Sequence, residues 1–467
     1  MPVADPQQPP RLPRPPRLAA RTLVAVLAAA LPGCEAEDPQ QQDDGSESEA
    51  EPTPRVTYFD DALPILNEHC NGCHNAGGLA PFVLDDFVEA SMWGPAVAAA
   101  AASRTMPPFA VDNSGACNTY AHARWLEDEE IDVLAAWVDD GLLEGEPPAT
   151  PLQPPVPPVL GGPGIEEVRT PEYVPVPQTT LGQEFDDYQC FLLPTGLDRE
   201  RFIVGFEVIP GNTATVHHVL GFKVNPTSFD NAEVMQALDD ASPDQLGWDC
   251  DGAAGEGVLV QSVPVNYAPG VGAVEFPSGT GIPMSPEDVL VVQIHYNLLN
   301  DSSADSTAIR IKYADQVARP AIQALWDSFL FSSVLGAPAS LPPGLERATY
   351  DWSATIATAT SFRGDGDAVA TGPVEIWGFA PHMHKRGRKM TIEIERADGE
   401  RLCGTQVDRY DFNWQQMYFF EQPLHVDFGD TLRVRCEWDT RGDTAPVTPG
   451  YGTANEMCLV GLYAVPE

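Results

Sequence analysis

The chain has 467 residues, 43% of them hydrophobic and 20% charged, which is long enough for two to four globular domains. Its 26 Lys and Arg against 68 Asp and Glu give a net charge of −42, and such an acidic surface would repel the phosphates of nucleic acids and anionic lipids. The 39 Gly and 46 Pro argue against one long helical array and favour loop-rich β domains joined by linkers.

The first residues, 1–33, are typical of an export signal. Four arginines precede an apolar stretch that starts at Leu23 and is too short to span a membrane comfortably, and Gly33 stands directly before Cys34. Residues 31–34 resemble a bacterial lipobox, in which Cys34 would be acylated after cleavage; the alternative is cleavage without a lipid. We therefore expect export to the bacterial periplasm or cell surface, with a lipid on Cys34 as the membrane contact.

Two linkers divide the exported chain. Residues 34–56 are predicted to form a flexible tether, because residues 35–54 hold eight acidic residues and no basic one and bury too little apolar surface to fold. Residues 147–178 are rich in proline, which predicts a semi-rigid, extended spacer. The linkers leave one block at 57–146 and a larger body from residue 179 to the end.

The block at 57–146 is predicted to be a small all-α domain. Apolar residues recur at i, i+3, i+4 and i+7 from Ile131 to Val138, and Gly141 stands where a helix C-cap belongs. The alanine-rich run at 96–102 is also a good helix former.

A motif for covalent haem attachment lies in this block. Cys70, Cys73 and His74 have the spacing C-x-x-C-H, in which two thiols bind a c-type haem and the imidazole ligates its iron. The alternative is a redox or structural cysteine pair followed by an unrelated histidine. The small, helical and exported context favours the haem.

The sixth ligand of the iron is expected to be Met106. Two prolines follow Met106 and would fix its loop, an arrangement that resembles the Met-Pro loop of class I cytochromes c. Met92, His69 and His122 are rival ligands. Ligation by Met and His raises the haem potential and suits electron transfer. The block as a whole resembles a bacterial cytochrome c domain.

The body is predicted to be all β. Residues 390–395 and 432–437 alternate apolar and polar side chains, and Gly, Asp, Asn and Pro separate such segments. This pattern is typical of antiparallel strands in β-sandwiches, and the length of the body is sufficient for two of them.

Five histidines of the body lie in apolar contexts: His217, His218, His295, His382 and His384. Buried imidazoles need partners for their ring nitrogens, and a metal ion would supply one. On a strand, His382 and His384 point to one face. The adjacent His217 and His218 point to opposite faces unless the strand ends or bulges there. Imidazole ligands with few carboxylates favour copper or zinc, and a thioether such as that of Met457 would favour copper.

Six short segments of the body recur in the order known from one enzyme family. They are residues 216–219, 292–296, 382–387, 410–415, 429–436 and 456–458. Over about residues 185–467 the chain resembles the copper type II, ascorbate-dependent monooxygenases, which include the catalytic cores of dopamine β-hydroxylase and peptidylglycine α-hydroxylating monooxygenase.

The resemblance implies two jelly-roll-like β-sandwich domains, at 179–320 and 321–467, each holding one copper ion at a solvent-filled cleft. It also implies a disulfide between Cys436 and Cys458. The remaining candidates, Cys117, Cys190, Cys250 and Cys403, allow three pairings that sequence cannot distinguish. Of these we favour a disulfide between Cys190 and Cys250.

The resemblance also implies the ligands of both copper ions. The copper that relays electrons would be held by His217, His218 and His295. The copper at which dioxygen is activated and a C–H bond hydroxylated, the catalytic one, would be held by His382, His384 and Met457.

These observations predict an exported copper monooxygenase that hydroxylates a small organic substrate with dioxygen. The fused haem domain would relay electrons, which ascorbate or a redox donor protein would provide. Ala380 stands where peptide-hydroxylating relatives carry an arginine for the peptide carboxylate, so a C-terminal peptide substrate is not expected. The alternative is a non-catalytic protein that binds haem and copper for electron transfer, storage or sensing.

Overall fold

The computed structural model describes residues 55–76, 78, 80–153, 157–178, 185–242, 246–250, 253–299, 301–334, 339–361, 370–452 and 454–467. They belong to one compact unit that runs from residue 54 to residue 467. The predicted export signal, the predicted lipid site Cys34 and residues 34–54 of the predicted tether lie outside the described residues. Among the described residues, no helix is long and apolar enough to cross a membrane.

The N-terminal part of the described chain is helical, as the spacing of its apolar residues predicts. A π-helical turn, Tyr58–Ala62, leads into α1 (Leu63–His69), and α2 (Phe87–Ala102) and α3 (Asp128–Asp139) follow. These elements share a small core in which Tyr58, Leu66, Leu134 and Trp137 are almost fully buried. Gly141, with a φ of +91°, follows the end of α3 in the left-handed region that favours glycine.

Eleven strands of the described chain form a first pair of sheets. The six-stranded sheet contains β1 (Ile165–Arg169), β3 (Arg201–Ile209), β7 (Val274–Glu275), β8 (Thr280–Met284), β10 (Ala308–Ala314) and β11 (Arg319–Pro320), in the order β1-β10-β3-β8-β11 with β7 also beside β3. The five-stranded sheet contains β2 (Asp186–Pro194), β4 (Val216–Val224), β5 (Trp248–Asp249), β6 (Ser262–Tyr267) and β9 (Val289–Asn297), in the order β5-β2-β9-β4-β6. Inward-facing side chains of both sheets share one core, and α4 (Asn231–Asp240) follows β4.

Eight further strands form a second pair of sheets. One sheet has the order β12-β19-β14-β17, from β12 (Ile322–Trp326), β14 (Val374–His382), β17 (Tyr418–Val426) and β19 (Leu459–Pro466). The other has the order β13-β18-β15-β16, from β13 (Ala348–Thr355), β15 (Gly387–Glu395), β16 (Arg401–Val407) and β18 (Thr431–Trp438). Two short helices, α5 (Ser328–Val334) and α6 (Ile356–Ser361), flank β13. β11 ends the first sheet pair at Pro320 and β12 begins the second at Ile322.

The helical part is not a body separate from the sheets, which differs from the expectation for residues 57–146. Phe109, Val111 and Tyr120, between α2 and α3, are buried in the core of the second sheet pair. A disulfide then joins Cys117 to Cys403 in β16. Apolar side chains in this loop complete the sheet core, so the connection between two helices belongs structurally to the second sheet pair.

The predicted spacer at 147–178 is also partly incorporated into the fold. Its residues Ile165–Arg169 form β1, which pairs with β10 along one edge of the six-stranded sheet. On either side of β1, Leu160 is 2% exposed and Tyr173 is 8% exposed. Prolines flank this strand rather than interrupt it. At the edge of a sheet, a neighbouring proline removes no hydrogen bond from an inner strand.

Three disulfides occur among the described cysteines. They join Cys190 to Cys250, Cys117 to Cys403 and Cys436 to Cys458. The first and the last are the pairs expected above, and the second leaves Cys70 and Cys73 as the free described cysteines. Three structural disulfides indicate an oxidising compartment.

Candidate metal centres

Three histidines converge between two neighbouring strands of the first sheet pair. His217 and His218 lie on β4, and His295 lies on β9, to which β4 is paired. The register shifts between Val216 and His218, and this bulge brings the two adjacent histidines to the same partner. Nδ1 of His295 is 3.3 Å from Nδ1 of His217 and 3.4 Å from Nδ1 of His218. One nitrogen from each residue lies within 4.8 Å of the other two, so one metal ion can reach all three.

Burial keeps His217 and His218 in the neutral form that binds metals. Burial and the neighbouring His295 lower the pKa of His217 to about 3, and burial lowers the pKa of His218 well below its usual value. Nε2 of His295 donates to Oδ1 of Asp186 at 3.0 Å, which turns Nδ1 of His295 towards His217 and His218. A cation at the centre would satisfy the converging nitrogens, so these residues fit a copper ion.

The second cluster lies where β14 ends. His382 is the last residue of β14, and its ring centroid is 5.2 Å from that of His384. Nδ1 of His382 donates to Oε1 of Gln415, and Nδ1 of His384 donates to the backbone oxygen of Asn455 at 3.1 Å. Burial lowers the pKa of His382 to about 4 and that of His384 to about 3. Both rings therefore keep Nε2 for a metal, and Nε2 of His384 is buried without a hydrogen-bond partner.

Met457 lies in the same cavity wall as these two histidines and is 3% exposed. The residue before it, Glu456, is fully buried and fixes this wall through three short hydrogen bonds. Oε2 of Glu456 accepts from the backbone nitrogen of His384 and from Nε1 of Trp438, both at 2.8 Å. Oε1 accepts from the backbone nitrogen of Arg386 at 2.8 Å. Burial raises the pKa of Glu456 to about 7.

One cavity of about 260 Å³ connects the two clusters. Its lining includes His218, His295, His382, His384 and Met457. The loop after β16 contacts both sides: the ring of Trp414 lies 5.6 Å from that of His217, and the next residue, Gln415, holds His382. The two clusters thus border the same cavity, the first through His218 and His295 and the second through two imidazoles and a thioether.

The predicted haem residues lie in the turn that follows α1. Cys70 and Cys73 are free thiols, and Nδ1 of His74 donates to the backbone oxygen of Phe82 at 3.2 Å, which leaves its Nε2 for a metal. The ring of Phe82 lies 4.5 Å from that of His74 and stacks on Trp93, which is 42% exposed. Two free thiols, an oriented imidazole and an accessible aromatic surface fit a covalently attached haem.

The electrostatics of the two thiols do not favour the alternative of a redox-active cysteine pair. Burial raises the pKa of Cys70 to about 12 and also raises the pKa of Cys73. Redox-active C-x-x-C motifs instead lower a thiol pKa to produce a thiolate.

The residues considered for the sixth iron position differ in their surroundings. Met106 follows α2 and is 38% exposed, whereas Met92, on α2, is 66% exposed. Nε2 of His69 is already paired with Oε1 of Glu130 at 3.1 Å. His122 is exposed and has a φ of +57°. The assignment of Met106 remains a prediction.

Family models account for more than half of the chain. Residues 173–303 match the N-terminal domain of copper type II ascorbate-dependent monooxygenases, and residues 353–464 match the C-terminal domain. The chain belongs to the copper type II ascorbate-dependent monooxygenases. The two matches correspond to the two sheet pairs and contain both histidine clusters, so the copper expected from the donor atoms is also the metal of the family.

Three relatives show the range of this similarity. DBH-like monooxygenase protein 2 from Homo sapiens is 27% identical over 324 residues, covering 64% of this chain and 60% of that protein. Dopamine beta-hydroxylase from Equus caballus is 24% identical over 316 residues, covering 64% and 46%. Peptidylglycine alpha-amidating monooxygenase from Rattus norvegicus is 24% identical over 284 residues, covering 59% and 25%. The chain therefore spans between a quarter and three fifths of the length of these relatives.

Asp186 holds the ring of His295 in the three-histidine cluster, so its replacement by asparagine should weaken copper binding there. We expect the affinity for copper(I) to fall about 10–100-fold, because a neutral amide orients the Nε2 proton of His295 less strongly than a carboxylate does. Competition with a copper(I) chelator measures the affinity. Asp198→Asn, with a side chain that is 82% exposed, is the matched control. Equal affinities in the two variants would contradict this role.

Proposed function

We propose that the protein is an exported monooxygenase that hydroxylates a C–H bond of a small organic substrate with dioxygen. His382, His384 and Met457 would hold the copper at which dioxygen reacts. The three-histidine cluster would hold the copper that relays electrons. The observation that carries this proposal is that two donor sets of different softness face one cavity.

The donor atoms support a division of work between the clusters. A thioether favours Cu(I), the state that dioxygen oxidises, whereas imidazoles alone suit both oxidation states of a relay. When bound, copper supplies one-electron chemistry and the activation of dioxygen. The protein supplies orientation: Asp186 fixes His295, Gln415 fixes His382, and Glu456 fixes the backbone of His384.

We further propose that Cys70, Cys73 and His74 hold a c-type haem and that the haem supplies single electrons. The position of the motif supports this. A Cβ atom added at Gly270 would lie 3.4 Å from Sγ of Cys73. Gly270 closely follows β6, and Tyr267 of β6 pairs with Val219, the residue after His218. The haem motif therefore lies against the strand pair that carries part of the three-histidine cluster.

The same proposal places the protein outside the cytoplasm, in the bacterial periplasm or at the cell surface. The apolar segment from Leu23 and the lipobox-like sequence ending at Cys34 support export and a lipid anchor. Three disulfides are consistent with that compartment. Ascorbate or a redox donor protein would be the source of electrons.

Replacing Met457 with leucine should abolish catalysis with little change in fold, because leucine has a similar volume but no sulfur. The copper-loaded, reduced protein is incubated with small molecules extracted from the source organism and with ¹⁸O₂. We expect wild type to yield a product that has gained one ¹⁸O atom, and Met457→Leu to yield about 100-fold less or none.

Met390→Leu, fully buried in β15, is the matched control and should retain the activity. The labelled product must also disappear when copper is removed. If wild type forms none, or if Met457→Leu forms as much, the chain is better described as a non-catalytic haem and copper protein for electron transfer.

A further inference from the structure

No charged side chain in the described wall of the shared cavity is free to pair with a charged group on a bound molecule. Among the described residues that line it there is no lysine or arginine, and Asp327 is the sole carboxylate. Oδ1 of Asp327 accepts from the backbone nitrogen of Leu330 at 2.9 Å, and Oδ2 accepts from that of Cys458 at 3.2 Å. Asp327 is 3% exposed and stands directly before α5, so its carboxylate caps that helix rather than facing a ligand.

Apolar side chains from both sheet pairs form most of the remaining wall. Leu220 and Phe222 contribute from β4, and Leu325 and Phe331 contribute from β12 and α5. A ligand in this cavity would therefore contact apolar side chains of both sheet pairs. An apolar ligand body would displace water from both walls at once.

The wall also carries uncharged amides, and the structure uses two of them differently. Oε1 of Gln323 accepts from the backbone nitrogen of Val263 at 2.8 Å, and its Nε2 donates to the oxygen of Val263 at 3.0 Å. Gln323 is thus committed to joining the sheet pairs. Asn266 also lines the cavity, and its Oδ1 is buried with no hydrogen-bond partner. Neither amide presents a charge to a ligand, so these groups suit a ligand whose own polar group is uncharged.

The volume of the cavity indicates the size of the ligand body that fits between its walls. A dry cavity of about 150 Å³ binds one benzene molecule. The cavity here measures about 260 Å³ and also contains the ligating atoms of both clusters in its walls. It therefore suits a single ring, or an aliphatic body of similar size, with a short substituent.

From these features we propose that the substrate is an uncharged, largely apolar small molecule of about one ring, with at most a hydroxyl-type polar group. This inference rests on the proposed function, because it assigns the substrate class of the same cavity. Ammonium and carboxylate substituents are disfavoured, since no charged side chain of the described lining is free to pair with either.

The proposal is tested with three probes that share a ring and differ in one substituent: benzyl alcohol, benzylamine and benzoate. Their binding to the copper(I)-loaded full chain is measured by equilibrium dialysis without oxygen, so that affinity is obtained in the absence of turnover. We expect benzyl alcohol to bind about tenfold more tightly than either ion. A substitution that fills the cavity, Leu220→Trp, should weaken its binding about tenfold.

A second variant introduces the missing charge. Ala380→Arg places a cation in the cavity wall and should reverse the preference towards benzoate, whereas Leu345→Arg, at a position that is 41% exposed and outside the cavity, should not. The proposal is overturned if benzylamine or benzoate binds wild type best, if no probe binds, or if Leu220→Trp has no effect. Failure of the monooxygenase function would instead appear as the absence of ¹⁸O-labelled product even though the neutral probe binds.

Discussion

Replacing Glu456 with alanine is expected to lower the free energy of unfolding by about 3–5 kcal/mol, because three buried donors would lose their acceptor at a cost of about 1–3 kcal/mol each. Glu456 is fully buried and accepts hydrogen bonds from the backbone of His384 and Arg386 and from the indole of Trp438. Alanine would leave all three donors buried without an acceptor, and each unpaired donor carries a desolvation cost.

The same substitution should also damage the second metal cluster. The backbone of His384 would lose its anchor, and the chain around Met457 would lose the contact that holds it against β18. Copper bound per chain should therefore fall from two ions towards one, with the three-histidine cluster retained. Glu456→Gln should have a smaller effect, because its amide keeps one acceptor oxygen and only the NH2 group that replaces the other oxygen faces an existing donor.

Urea unfolding followed by fluorescence gives the change in stability, and elemental analysis after dialysis gives the copper content. Glu400→Ala is the control, since the side chain of Glu400 is 61% exposed and pairs with Arg396 at the surface. Surface pairs of this kind contribute about 0–1 kcal/mol. If the two alanine variants were equally stable and bound equal copper, the network would have no role in either property.

The sequence predicted the chemistry of the sites more completely than their surroundings. Histidines are rare enough in apolar strands to be noticed individually, whereas Met457 was indicated by the resemblance to the family. Asp186, Gln415 and Glu456, by contrast, are ordinary polar residues whose partners are distant in sequence, such as His295, 109 residues from Asp186. Their roles depend on strand order and register, which periodicity does not specify.

The bulge at His218 shows the limit of strand reasoning most directly. Strict alternation would send His217 and His218 to opposite faces, and only a register shift against β9 lets both approach His295. The sequence shows that such a bulge is needed if both bind one metal, but it does not show that the bulge is present. The folded sheet supplies that information.

Long-range packing accounts for the two differences in organisation. The loop between α2 and α3 contains Phe109, Val111 and Tyr120, whose burial requires the core of sheets formed almost 300 residues later. The proline content of residues 147–178 predicts an extended segment. It does not show that part of this segment pairs with β10. Composition describes local stiffness, whereas the pairing partner is a property of the whole fold.

The double substitution Cys70→Ala and Cys73→Ala is expected to remove covalently attached haem completely. Both thiols are free in the structure, and no other described cysteine can replace them, because the other six are in disulfides. Protein expressed with a haem attachment system is denatured and separated on a gel, and the haem stain that remains with the chain is measured. Wild type should retain the stain and the double variant should lose all of it.

Met106→Leu separates attachment of the haem from ligation of its iron. This variant should keep the covalent haem but lower its reduction potential, because a thioether ligand raises that potential. Since Met106 is 38% exposed, the substitution should leave the stability of the chain nearly unchanged. An unchanged potential would transfer the ligand role to another residue, such as Met92.

The variant without Cys70 and Cys73 also tests whether the haem passes electrons to copper. The motif lies against Gly270, close to the strand pair that carries His218, and the disulfide between Cys117 and Cys403 holds the helical part to the second sheet pair. Because this arrangement is fixed rather than free to diffuse, electrons should reach copper within one chain, at a rate independent of protein concentration. Wild type should show that behaviour with a protein donor, and the variant lacking Cys70 and Cys73 should reduce its copper about 100-fold more slowly. Equal rates in both proteins with every donor would exclude the haem from the electron path.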